Sequence, residues 1–148
     1  MAGKDDGEQD NFQKRVAALG LSQRVHVVGP LYGQDKFAAL VDCACFALPS
    51  RQEGFSLAVL EAMGAAAPVV ISEQCHFPEV AASGAGEIVQ LNADAVADAI
   101  ERILADPNRR RIGQAGRELV LRRFTWENVA RQAVSVYERL QSAAAQGR

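Results

Sequence analysis

The sequence has no long apolar run. Nothing approaches the roughly 18 residues that span a bilayer, and the first ten residues are polar rather than signal-like. The expectation is a cytoplasmic protein with at most peripheral attachment to a membrane. It also lacks an excess of one charge: Lys and Arg number 16 against 18 Asp and Glu, the net charge is −2, and the signs are interspersed. No basic stripe marks a nucleic-acid surface, so a nucleic-acid partner is not expected and a phosphate ligand must be met locally. Cysteine is scarce. Cys43, Cys45 and Cys75 form an odd set without CxxC spacing, and two of them alternate inside an apolar stretch, which favours reduced core thiols over a disulfide framework or a metal site. A GxGxxG loop after a first strand is missing too: neither 29–33 nor 84–86 has that pattern and placement, which argues against a dinucleotide-dependent oxidoreductase. At 148 residues the chain suffices for one domain and not for two. Any activity that needs a second lobe must borrow it.

What is present is alternation. Four short β-type runs, 25–28, 44–48, 69–71 and 87–91, are separated by helical patterns. Phe12, Val16 and Leu19 repeat at helical spacing before Gly20, and Phe37, Leu40 and Val41 repeat after the next loop. This order predicts a parallel α/β sheet. The last third is helical. Val96, Ile100, Ile103 and Leu104 make one stripe, and Asp106-Pro107 is expected to stop that helix and to serve as cap and first residue of the next. Thr125 is expected to cap a third helix bearing Val129, Ala133, Val136, Tyr137 and Leu140. The domain is expected over 1–140, with 141–148 a frayed tail. The arginine runs at 109–111 and 122–123 are read as solvated helix faces, far from the strand ends where such sheets bind ligands.

The segment 46–64 carries the chemistry. It reads as a buried strand, a polar turn and a helix: Pro49 ends the strand, Gly54 permits a tight turn, and Gly64 closes the helix. Free N–H groups near Phe55, Ser56 and Leu57, with the positive end of the helix dipole, suit that junction to a phosphate or diphosphate without any lysine. Glu61 lies among Val59, Leu60, Ala62 and Met63, where a bare carboxylate is costly. Two readings stand open. Either Glu61 and Glu53 accept hydrogen bonds from a ribose diol and from sugar hydroxyls, bracketing one nucleotide-sugar, or Glu61 pairs with an arginine and Glu53 is an ordinary turn residue.

This segment resembles the Glu, seven residues, Glu signature of retaining GT-B glycosyltransferases of the group 1 kind, relatives of glycogen and sucrose synthases. Further landmarks follow in the family's order: Arg24-Val25-His26-Val27-Val28-Gly29, Pro49-Ser50, Ala67-Pro68-Val69-Val70, Pro78-Glu79-Val80, Asp106-Pro107 and Phe124-Thr125-Trp126. The resemblance implies the C-terminal, Rossmann-like lobe of a GT-B fold, holding a UDP-, GDP- or ADP-sugar whose sugar is transferred with retention to a glycan, lipid or small-molecule acceptor. Carried over, Glu53 is the nearest to a catalytic residue and contacts the donor sugar. Gly54, Phe55, Ser56 and Leu57 hold sugar and diphosphate through their amides. Glu61 binds the ribose, and Gly29, Pro30 and Leu31 border the nucleobase. No proton-transfer base or covalent nucleophile is implied, since in the resembling enzymes the leaving phosphate itself assists attack. The absence of an Asp-x-Asp motif fits enzymes that neutralise the diphosphate with a helix dipole and basic side chains, so no metal cofactor is expected. A non-catalytic nucleotide-sugar binding module with the same half-site is the alternative.

Two departures from the family matter. Its C-terminal lobe opens with a strand, a loop bearing an Arg and Lys clamp, and a second strand, whereas this chain begins near what resembles the end of that second strand, at Ala2-Gly3. The isolated chain is therefore expected to bind donor weakly, to transfer nothing without its acceptor lobe, and to pair with another copy through exposed strand edges. The second departure is Cys75-His76, where many relatives carry a glycine pair.

Overall fold

The structure, a computed structural model, describes residues 1–146. They divide into two compact units, Met1–Ala39 and a larger one from Leu40 onward. In the first, helix α1 (Gln9–Ala18) buries Val16 and ends before Gly20, which takes a positive φ of 68°. The run 25–28, expected as a strand, forms none. Its neighbour offers only a bridge between Ala2 and Gly29, with Val28 N–H donating to the Met1 carbonyl at 3.0 Å and Gly3 N–H to that of Gly29 at 3.0 Å. A ladder needs a partner running alongside for several residues, and this one leaves after Gly3. Helix α2 (Gly33–Asp42) follows and buries Leu40.

From Leu40 onward, strand and helix alternate as expected. Strand β1 (Phe46–Leu48) leads to helix α3 (Leu57–Gly64), and strand β2 (Val69–Ser72) to a 3-10 turn (Glu73–Cys75) and helix α4 (Glu79–Ser83). Strand β3 (Gly86–Val89) precedes helices α5 (Ala93–Ala105), α6 (Arg109–Arg123) and α7 (Trp126–Gln146). Among the described residues the sheet is parallel, in the order β1-β2-β3, with Val70 opposite Ala47 on one side and Glu87 on the other. The expected four strands are thus three. All four residues of β2 are buried, which is why its sequence reads as an unbroken apolar run.

The period of two along β2 divides the core. Val69 and Ile71 pack with Val59, Ala62, Met63, Phe77, Val80 and Leu119, from α3, α4 and α6 and the loop before α4. Val70 packs on the other face with Ala99 and Ile103 of α5. Three details differ from expectation. Helix α6 starts two residues later than Asp106-Pro107 implies, because Asp106 is the C-cap of α5 while its carboxylate takes the Asn108 N–H at 2.7 Å. Leu104 of the α5 stripe is 44% exposed. The tail expected to fray from 141 is helical through Gln146, while 147–148 lie outside the described residues. Thr125 does cap α7, accepting the Asn128 N–H at 3.3 Å. No helix among the described residues is long and apolar enough to cross a membrane.

Candidate functional site

Strand β1 ends at Leu48 and the chain turns through 49–56 into α3. Ser56 is the N-cap: its backbone is extended, its side chain is buried, and its Oγ accepts the Val59 N–H at 3.4 Å. A first helical turn has donors without intrahelical acceptors, and the cap meets only one of them. The amides of Leu57 and Ala58 face the end of the helix where the dipole is positive, and α3 has no acidic side chain in that turn to offset it. An anion placed there meets both the free donors and the dipole.

The turn is held from below by the segment after β2. The buried Ser72 hydroxyl donates to the Ser50 carbonyl, and the Cys75 thiol donates to the Leu48 carbonyl at 3.5 Å. Glu53 N–H donates to the Gln74 carbonyl at 3.1 Å, and Ser50 Oγ donates to the Gln52 carbonyl at 3.1 Å. The backbone of Glu53 is thereby fixed, with its side chain half-buried. Gly54 is exposed, Phe55 is 52% and Leu57 is 68% exposed, so the residues expected to face a ligand are open to one. The Phe55 ring rests on Phe77 and Phe124, with centroids at 5.3 and 5.9 Å.

Glu61 lies one turn beyond Leu57, on the same face of α3 by helical spacing. The opposite face carries Val59, Ala62 and Met63 into the core. Its apolar sequence neighbours suggested deep burial, but Glu61 is half-buried at the margin and does not stand free. Glu53, Gly54, Phe55, Ser56, Leu57 and Glu61 therefore form one continuous strand, turn and helix junction. Gly29, Pro30 and Leu31 belong to the first unit, where Gly29 has a φ of 71°. Beside the turn, Pro49 and Arg51 border an open hollow of about 410 Å³ with Leu91, Asn92, Ala93 and Val96. It lies outside the carboxyl ends of β1 and β3, the side on which parallel sheets take ligands.

The thiols are quiet. Cys75 is buried, and Cys43 and Cys45 are half-buried. Burial pushes the Cys45 thiol up to about 11, and the nearby Cys43 adds to the rise; Cys43 is raised for the same first reason. Neither is a thiolate nucleophile near neutrality. His76, one of the departures noted above, sits exposed in the left-handed region at φ 48°. The arginine runs lie on α6. Arg109 donates to the Leu104 carbonyl at 3.0 Å and Arg123 pairs with Glu79 at 3.5 Å, while Arg110, Arg111 and Arg122 are exposed. Ser72, Gln74, Phe77 and Phe124 had no local sequence signal as site residues, because each reaches the turn through the fold.

A family model described as "Glycosyl transferases group 1" matches residues 1–119. The chain is similar to the MMP alpha-(1->4)-mannosyltransferase of Mycolicibacterium hassiacum, 36% identical over 132 residues covering 86% of this chain and 32% of that protein. It is similar to the alpha-maltose-1-phosphate synthase of Mycobacterium tuberculosis, 30% identical across 94% of this chain and 39% of that one. Among solved structures, the sucrose-phosphate synthase of Thermosynechococcus elongatus superposes with a TM-score of 0.78 at 32% identity, covering 95% of this chain and 37% of that chain. The chain thus spans about a third of the length of the relatives it matches.

Proposed function

The chain belongs to the group 1 glycosyl transferases, and from that premise we propose that it is the donor-binding part of a retaining transferase that moves a sugar from a nucleoside-diphosphate sugar to a glycan, lipid or small-molecule acceptor. The observation that carries the proposal is the start of α3: two first-turn amides without a helical acceptor, a buried cap at Ser56, and no acid in that turn, with Glu53 before it and Glu61 one turn beyond. In this reading the diphosphate lies on the amides of residues 54–57 and on that of Ala58, Glu53 reaches the sugar hydroxyls, and Glu61 takes the ribose diol. Negative charge that grows on the leaving diphosphate is stabilised by donors already in place, which costs no reorganisation at the moment of transfer. Similarity to a mannosyltransferase and to a maltose-1-phosphate synthase supports a hexosyl donor.

The proposal extends to conditions and partners. Donor binding needs no metal ion, so a chelator leaves it unchanged. Transfer needs an acceptor lobe, the enzyme works in the cytoplasm, and the outer strands β1 and β3 are where two copies pair; a clean monomer by light scattering refutes that last point. The main test is saturation-transfer NMR of this chain against a panel of UDP-, GDP- and ADP-sugars, repeated with Glu61→Ala. At least one nucleotide-sugar gives transfer to ribose and sugar protons, weakened about tenfold or more by the substitution. Silence across the whole panel sinks the reading.

A further inference from the structure

Phe124 lies at the end of α6, remote in sequence from the turn before α3. It is the C-cap, its N–H donating to the Val120 carbonyl at 2.8 Å. Its ring meets that of Phe77 edge-on at 5.5 Å and that of Phe55 at 5.9 Å, while Phe55 and Phe77 stand 5.3 Å apart. Three segments therefore meet at three rings: the turn before α3, the loop before α4, and the end of α6. The adjacent pair Arg123 and Glu79 joins the end of α6 to the start of α4, and the Arg123 guanidinium sits 5.5 Å over the Phe124 ring.

The geometry of the turn makes this contact consequential. At Gly54 an added Cβ would meet nothing within 4 Å, so the turn is open to solvent on that side. Beyond it the chain reaches the buried cap Ser56 within two residues. Among the described residues, the anchor between these points is the Phe55 ring, which is half exposed and gains its hold from Phe77 and Phe124 rather than from full burial. We propose that Phe124 is a positioning residue for the proposed donor site, fixing the direction of the amides at 55–57 through the Phe55 ring so that they are pre-aligned for a diphosphate. This rests on the donor-site reading above. Pre-alignment lowers the ordering cost of binding, and it acts on the phosphates rather than on the rest of the ligand.

The test is an amide-resolved NMR titration of this chain with inorganic pyrophosphate and with UDP, GDP and ADP. It compares wild type, Phe124→Leu, Phe124→Tyr and Phe55→Leu. Ile103→Ala, in the core on the other face of the sheet, serves as a control for lost stability. Phe124→Leu weakens pyrophosphate and nucleotide binding by about three- to tenfold, the scale of one or two ring pairs. Phe124→Tyr restores it, and Ile103→Ala leaves it at the wild-type value. Phe55→Leu, at a half-exposed position, gives the same loss if Phe124→Leu does not fold. Wild-type affinity in both leucine variants overturns the inference and leaves the donor site standing. A wild-type chain that binds none of the probes overturns the donor-site reading, and this inference with it.

Discussion

Replacing Gly113 by alanine tests whether the packing of α6 on the loop after α3 sets the position of the site helix. A Cβ at that buried glycine would stand 1.9 Å from the carbonyl oxygen of Ala66, 2.8 Å from its carbon and 3.4 Å from Pro68 Cδ. Ordinary C···O contact begins at about 3.3 Å, so the two backbones must part by more than 1 Å, roughly. Ala66 is poorly placed to yield. It already occupies φ 62°, and its N–H and that of Ala67 are committed to the carbonyls of Met63 and Ala62 at 2.9 and 3.0 Å. The helix must then move, one turn from Gly116, where a Cβ would meet Met63 Cγ at 3.1 Å and Ala85 Cβ at 3.2 Å. Helix propensity alone favours alanine by about 1 kcal/mol, whereas overpacking costs about 1–3 kcal/mol and sometimes more. Parting two close-packed helices also forfeits contacts on both. The net expectation is a loss of about 2 kcal/mol, or roughly 4–8 °C in Tm at this chain length, read by urea and thermal unfolding. A Gly113→Ala chain as stable as wild type, or more stable, refutes the reasoning, because propensity would then have outweighed the contact.

Ser56→Ala removes a buried cap and should cost about 1 kcal/mol by urea unfolding, at the lower side of the usual range because its bond to Val59 is long at 3.4 Å; unchanged stability would mean the cap is idle. His76→Gly should raise stability by up to about 1 kcal/mol, since glycine holds a φ of 48° without strain, and a lower Tm would show that the imidazole makes a needed contact. The Cys45 thiol keeps its proton to about 11 in the folded chain, against an ordinary 9.0, chiefly through burial. Between those values the unfolded chain binds fewer protons, so stability is whole below pH 9 and falls as pH climbs toward 11. Cys45→Ala should flatten that decline, and an unaltered alkaline slope would place its origin elsewhere.

Much of this was legible along the chain. The alternation of apolar runs and helical stripes gave the parallel sheet, the junction of Pro49, Gly54 and Gly64 marked the strand, turn and helix that hold the candidate site, and Thr125 marked the start of α7. Such features rest on local chemistry: a residue without an N–H, one without a Cβ, and a hydroxyl that mimics a backbone acceptor. The run 25–28 misled because β pattern records only a segment's readiness to pair, and a strand exists when a neighbour stays alongside. Glu61 misled in degree, since apolar neighbours on both sides of a helical residue say nothing about which face it occupies.

The sequence by itself determined the type of each buried element and the place where a helix start would meet a strand end, because spacing and capping act over a few residues. Only the tertiary structure decided what holds that start in place: Ser72 and Cys75 beneath the turn, and Phe77 and Phe124 beside it. Those contacts join segments distant along the chain, and no local preference encodes which distant ring or hydroxyl a turn will meet until the sheet and its helices have packed.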